Sequence, residues 1–481
     1  MAAEKKNPYE AVSAAPVKSF FVYMLTRDIR LEDAILDLLD NCVDGILRSK
    51  AGKPPKATNT SEPYSGFWAE IKFDKASFSI ADNCGGIPWS MHTYAFRIGR
   101  TPDHPPDAAG SVGAYGVGMK RAIFKLGTAC LITTRNAKDS YEVDIPAEWV
   151  KDEKNWDFQV VPAKKPMAHE GTTLVVGSLH PWIADRFSTD AQDFQSKLVG
   201  MVATHYAFIV NKGFKVTIND ATVRPRPTKL LSTRKSRAAK KGAKEIQPFL
   251  FRTKTSEGVE VFLAVGFTRP IPSVGEVEQE QDVKRYSSED AGWTIICNDR
   301  AVVYCDRTEL TGWGEAGVPR YHTQFIAISG IVEFKGDASK LPTTTTKRDV
   351  DASSALYLQV KNKMREGMRI FTDYTNKWKT RADESRKYIE KGKPLLFEDI
   401  KLEAAHLKFV ATTTSVPPGE QYKPQLPMPP KLEPRMRRIS FVKTIEEVQL
   451  VAEHLLDDPD ADPSTVGEEC FDMFLKEARR R

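Results

Sequence analysis

At 481 residues the chain is too long for one compact core, so two or three domains are expected. Hydrophobic and charged fractions of 41% and 28% are those of an ordinary soluble protein, and a net charge of +6 is too small to assign a polyanionic partner by itself. No run of about eighteen uncharged apolar residues and no signal-type apolar region occurs. The six cysteines lack any zinc-type pairing and the eight histidines make no H-E-x-x-H, which argues against a structural metal and for a reducing, cytoplasmic setting (nuclear in a eukaryote).

In chain order, Leu31, Ile35, Leu38, Leu39, Cys42 and Ile46 follow the spacing of one buried helical face. Asp37, Asn41 and Asp44, at i, i+4 and i+7, form one row on the opposite face. A carboxylate and an amide so aligned can hold a magnesium ion and a water beside a phosphate, although acidic rows on helices are usually just solvated. The alternating run Phe78 to Asp82, followed by Asn83, Cys84, Gly85 and Gly86, predicts a strand entering a sharp turn. Gly110 to Lys120 is glycine-rich and leads into a helix through Ala122, Ile123, Phe124 and Leu126. Glycines before a helix let backbone N–H groups approach phosphates, and Lys120 could add a point charge. Gly171-Thr172-Thr173-Leu174-Val175-Val176 predicts a strand opened by a threonine pair.

Singly these are ordinary elements; in this order they resemble the GHKL (Bergerat-fold) ATPase superfamily, which includes gyrase B, heat-shock chaperones, MutL, MORC and sensor histidine kinases. The resemblance covers about residues 20–185. It implies a two-layer α/β sandwich in which a mixed sheet carries helices on one face and a lid closes over ATP. Asn41 resembles the magnesium ligand, Asp37 the water-activating acid and Asp44 a further residue on the nucleotide edge. Asp82 is similar to the aspartate that accepts the adenine amino group. Gly86 is similar to the glycine leaving room beneath the base, and Thr172 to the threonine whose hydroxyl supports both. Gly113, Gly116, Val117, Gly118 and Met119 would form the phosphate loop with Lys120, and Trp89 to Gly118 the lid. Two departures stand out. Asp37 occupies a position where hydrolytic members carry Glu, pulling the carboxylate back by about 1.5 Å. Cys84 replaces the first glycine of the D-x-G-x-G pattern.

The second half predicts a helix over Phe194 to Phe208, a strand over Phe214 to Asp220, and strands at 259–267, 293–298, 301–305 and 325–334, hence an α+β domain. In gyrase B, MutL and MORC a transducer in this place sends one lysine to the γ-phosphate, and Lys347 in the run Leu341 to Asp349 resembles it. Arg224, Arg226, Lys229, Arg234, Lys235, Arg237, Lys240, Lys241 and Lys244 make a basic segment able to neutralise nucleic-acid phosphates. Leu356 to Trp378 predicts a long amphipathic helix. The expected layout is an arm (1–19), the ATP-binding domain (20–188), a transducer-like α+β domain (189–351), a long helical segment (352–410), a Pro-rich linker (411–436) and a small helical module (437–481). Helices through Ile445 to Leu455 and Cys470 to Leu475 in that module are too few for an independent core, so it is expected to dock on the body or a partner protein.

The resulting expectation is a magnesium-dependent ATPase that hydrolyses ATP to ADP and phosphate. It would close as a homodimeric, ATP-driven clamp, with nucleic acid as one candidate partner and no membrane association. A nucleotide-gated binding or scaffold module with little hydrolysis is the alternative. A histidine-kinase-like phosphotransferase is the weaker one, because residue 37 is not Asn and no phosphoacceptor helix is evident.

Overall fold

The computed structural model describes residues 14, 16–50, 62–113, 115–233, 245–283, 290–412, 417–430 and 437–479. Residues 1–13 of the expected arm, and Arg234, Lys235, Arg237, Lys240, Lys241 and Lys244 of the basic segment, lie outside them. The chain forms two compact units, Met1–Pro429 and Pro430–Arg481.

In the first unit α1 (Lys18–Arg27) and α2 (Leu31–Lys50) precede a mixed eight-stranded sheet. Glu32 and Asp33 in the first turn of α2, and Arg48 and Lys50 in its last, match the helix dipole. The strands are β1 (Trp68–Phe73), β2 (Phe78–Asp82), β3 (Gly127–Arg135), β4 (Ser140–Ile145), β5 (Gln159–Pro162), β6 (Gly171–Leu179), β7 (Lys215–Ile218) and β8 (Ala221–Thr222), in spatial order β5-β4-β3-β6-β2-β1-β7-β8. Only the β1–β7 pairing is parallel. Alternation sets the layers: Ile132, Leu174 and Val176 are buried, while their neighbours Leu131 and Val175 are exposed on the open face. The helices on the covered face include α2, α4 (Gly118–Leu126) and α6 (Ala191–His205); the short α3 (His92–Phe96), α5 (Pro181–Arg186) and α7 (Ala207–Asn211) link them.

α2 departs from the expected two-faced helix, since every residue from Leu31 to Asp40 is buried. Its first half is therefore interior, so Asp37 meets other parts of the protein rather than bulk water, while Asn41 is exposed.

The second sheet contains β10 (Phe249–Lys254), β11 (Glu260–Phe267), β12 (Gly292–Cys297), β13 (Arg300–Asp306), β14 (Ile328–Lys335), β16 (Val410–Ala411) and β17 (Glu420–Tyr422), in the order β13-β12-β14-β11-β10-β17-β16. A separate ribbon pairs β9 (Lys229–Ser232) with β15 (Lys393–Leu396). One face of the sheet is covered by α9 (Ala355–Trp378), whose Tyr357, Val360, Met364, Met368, Phe371, Tyr374 and Trp378 bury against Phe249, Phe251, Leu263 and Val265. Phe208 of α7 and Phe397 and Ile400 of α11 (Phe397–Ala404) bury on Leu250, Ala264, Ile296 and Ile331. α8 (Val274–Val283) and α10 (Ala382–Ile389) complete this half.

The expected 411–436 linker is corrected over 417–429. Glu420–Tyr422 add a strand to β10, Leu426 is buried, and the Pro427 carbonyl accepts the Trp378 indole N–H at 3.0 Å. Proline density there reflects an edge strand and an extended tail laid on the body. The second unit holds α12 (Ile445–Leu456) and α13 (Pro463–Ala478), the latter longer than expected. Among the described residues no helix is long and apolar enough to cross a membrane.

Between β12 and β13 lies a two-residue turn, Asn298-Asp299, with both residues at positive φ (49° and 65°), the conformation a tight hairpin demands and Asn and Asp tolerate. The Asn298 amide donates to the Ser111 carbonyl at 2.8 Å, Asp299 accepts from Tyr64 (2.8 Å) and Lys212 (2.6 Å), and Arg300 reaches Asp40.

Candidate nucleotide site

A cavity of about 560 Å³ is bounded by α2, the end of β2, the 84–121 segment, β6, and Thr345 and Lys347 from the second half. Asp37, Asn41, Asp44, Asp82, Gly86, Gly113, Gly116, Val117, Gly118, Met119, Lys120, Thr172 and Lys347 all line it. Lys229 does not; it is exposed on β9.

At one end Asp82, the last residue of β2, is buried. The backbone N–H groups of Cys84 (2.7 Å) and Thr172 (3.3 Å) donate to its Oδ1, and the Cys42 thiol lies 3.5 Å from Oδ2. Burial pushes this carboxyl above its ordinary range, with those donors opposing. Thr172 therefore supports Asp82 through its backbone, and its hydroxyl instead pairs with the Thr134 hydroxyl at 3.1 Å. Thr134, fully buried and unremarked in the sequence, also receives the Ile87 N–H at 2.9 Å and donates to the Gly171 carbonyl at 3.2 Å.

Gly86 is required by the protein itself: its φ is +66°, and a Cβ there would lie 2.1 Å from the Arg135 carbonyl oxygen on the neighbouring strand. Cys84 takes the missing glycine's place without strain, since its φ is not positive and its side chain is buried. α2 approaches this turn closely because residue 45 is glycine; a Cβ there would sit 2.7 Å from the Cys84 carbonyl oxygen.

At the other end α4 begins after Val117 with no side chain capping its first turn. Its free N–H groups border the cavity, a ready site for an anion. Gly116 supplies a φ of +69° before this turn. Asp44 is committed to the lid: its two oxygens accept the N–H groups of Val112 (2.7 Å) and Gly113 (2.8 Å). Lys120 does not stand free either. Its Nζ donates to the Ala95 carbonyl on α3 at 2.8 Å, and burial pushes its pKa down to about 7.

Asp37 is ion-paired with Arg121, whose Nη2 also donates to the Thr345 carbonyl at 3.3 Å. The Arg121 Nε is buried with no partner among the described residues. Burial pushes Asp37 above the usual carboxylate range despite Lys347 and Arg121, and the charge of Asp40 adds to the rise. Asn41 is the exposed member of the row and opens onto the cavity.

Asp40, unassigned in the sequence, is the most heavily paired group. Lys347 Nζ lies 2.9 Å from Oδ2, Arg300 Nε 3.1 Å from Oδ1, and the Tyr206 hydroxyl also donates to it. Burial opposes its charge, but Lys347 and Arg300 outweigh burial and hold it below the usual range. Lys347, at φ +50°, thus projects from the second half onto the α2 acids. Adjacency to Asn41 and a spacing of three from Asp37 were the only local signals for Asp40. Arg121 carries no such signal; the sequence marks only the apolar run that follows it.

A mixed sheet with one helical face, a buried carboxylate at one end of a cavity and an uncapped helix N-terminus at the other define a nucleotide-binding α/β sandwich. Residues 29–172 match the family model described as Histidine kinase-, DNA gyrase B-, and HSP90-like ATPase, and this part of the chain is a GHKL-type ATPase domain. No curated protein matches the chain.

Proposed function

We propose that this cavity binds ATP with magnesium and hydrolyses it to ADP and phosphate, residues 189–351 acting as a transducer. The observation that carries the reading is the polarity of one cavity: buried Asp82 closes one end, and Asn41, the open N-terminus of α4 and Lys347 converge at the other. Its volume, about 560 Å³, suits a nucleotide. Asp82 would accept the amino group of the base, the N–H groups of Val117 to Lys120 would bind the phosphates, and Lys347 would bring a charge from the second half. The amide oxygen of Asn41 is a hard donor of the kind magnesium takes. Bound there, magnesium would neutralise phosphate charge. Asp37 would orient water and take its proton, its raised pKa making it a stronger base. Lid closure and homodimerisation on ATP binding follow as the proposed clamp. Nucleic acid is its candidate target, through the basic segment.

The Asp37–Arg121 ion pair favours the second reading, a nucleotide-gated binder with little turnover, because a paired carboxylate is a poor base. Steady-state phosphate release with Mg-ATP separates the two. A hydrolase is expected to lose about 10²–10⁴-fold of its turnover in Asp37→Asn with nucleotide still bound, while Asn41→Ala loses magnesium-dependent release. Release that never exceeds background in the wild type establishes the binder. Lys347→Ala is expected to lower turnover while leaving nucleotide binding largely intact, and unchanged turnover would remove Lys347 from the site.

A further inference from the structure

The second unit is specified locally but left open. Thr444 and Glu447 form a reciprocal capping box at the start of α12. Asp457 ends that helix in the left-handed conformation, and the Asp462 side chain accepts from the N–H groups of Ser464 and Thr465 to begin α13. These ends account for a helical hairpin without a core behind it. Among the described residues of this unit only Ala452 and Val466 are buried, whereas Ile445 is 73% exposed, Phe471 54% and Phe474 60%. Phe471, Phe474, Leu475 and Ala478 recur at i, i+3, i+4 and i+7, a single apolar stripe of α13. Helices of a bundle close their core with a further helix, and two alone leave such a stripe uncovered.

Charge narrows what can cover it. From Arg437 to Arg479 eleven acidic side chains stand against five basic ones, Arg437, Arg438, Lys443, Lys476 and Arg479. That balance repels a second copy of the hairpin, a phosphate backbone and an anionic bilayer alike. It favours a cationic partner with an apolar face.

We propose that residues 437–479 are a docking hairpin for a basic amphipathic helix of a partner protein. That helix completes a three-helix core on Phe471 and Phe474, with its Lys and Arg residues flanked by Glu468 and Asp472.

The test uses the full-length chain and a fluorescein-labelled leucine–lysine peptide of about five helical turns with leucine on one face. Two controls accompany it: the same composition scrambled so that no face forms, and a leucine–glutamate version. The expected result is saturable anisotropy binding of the leucine–lysine helix, weakened by rising salt and absent for both controls. Phe471→Ser/Phe474→Ser should weaken it about a hundredfold, as for loss of two anchor aromatics. Glu468→Lys/Asp472→Lys should weaken it with unchanged helix content by circular dichroism, so that loss of charge is separated from loss of fold. Equal binding of the leucine–glutamate helix, affinity unchanged in the phenylalanine variant, or no saturable binding by the wild type would each overturn the proposal. So would a concentration-dependent dimer in sedimentation that disappears in the phenylalanine variant, since the stripe would then be covered by a second copy.

Discussion

Replacing Arg300 with methionine is expected to lower the unfolding free energy by about 3–5 kcal/mol, the usual result of removing one partner from a buried ion pair. The lower end is expected, because Lys347 and Tyr206 still hold Asp40. Arg300 and Asp40 are both almost wholly inaccessible, so neither charge is rescued by water. The guanidinium also lies over the Tyr206 ring at 4.7 Å, a contact methionine keeps only as packing. The pH dependence follows from the direction of the shift. Asp40 is held below its ordinary pKa, so its contribution is present above the ordinary carboxylate range and lost as pH falls through its folded value. Without Arg300 that folded value rises, and the loss moves to higher pH. Urea denaturation at neutral and mildly acidic pH measures both effects, and a midpoint unmoved at neutral pH would refute the role given to Arg300.

Lys120 gives the second large effect, with the same sign in pH but in the neutral-to-alkaline window rather than the acidic one. Its folded pKa of about 7 lies below that of an unfolded lysine, because burial with a single carbonyl acceptor disfavours the ammonium. Between those values the unfolded chain binds more protons than the folded one, so stability rises as pH rises through that window. The rise attributable to this group is on the order of 5 kcal/mol, and Lys120→Met is expected to abolish it. If phosphates bind beside α4, they favour the charged amine, and nucleotide binding at about pH 8 takes up a proton. Calorimetry in two buffers of different ionisation enthalpy reads that uptake directly. A wild-type stability profile flat over the window would show that the amine is not buried as described.

What was legible in the sequence is what local spacing encodes. The periodicity of α2, the alternation into Asp82, the glycines before α4 and the Thr172 strand all report faces and turns within a few residues, and each lines the cavity. The illegible part consists of pairings across the chain. Asp40 is recognised only through Tyr206, Arg300 and Lys347, and Asp37 only through Arg121; nothing in the neighbouring residues announces those contacts. The same limit explains Gly86, whose small size answers to the main chain of Arg135, and Thr172, whose hydroxyl is taken by Thr134. For the 417–429 stretch, composition suggested a spacer because proline density reports backbone stiffness and says nothing of an available sheet edge.

The Asn298–Asp299–Arg300 turn has a mechanical consequence. Its residues occupy about 7 Å of backbone, yet they grip the glycine-rich segment at Ser111, the Tyr64–Lys212 corner and the interior helix at Asp40. A turn this short, with both tip residues in a left-handed conformation, has no slack to absorb relative movement. It therefore behaves as a pawl rather than a hinge. The second sheet cannot tilt without pulling on the Ser111 segment and the helix together, so the three grips should release in one step rather than one by one.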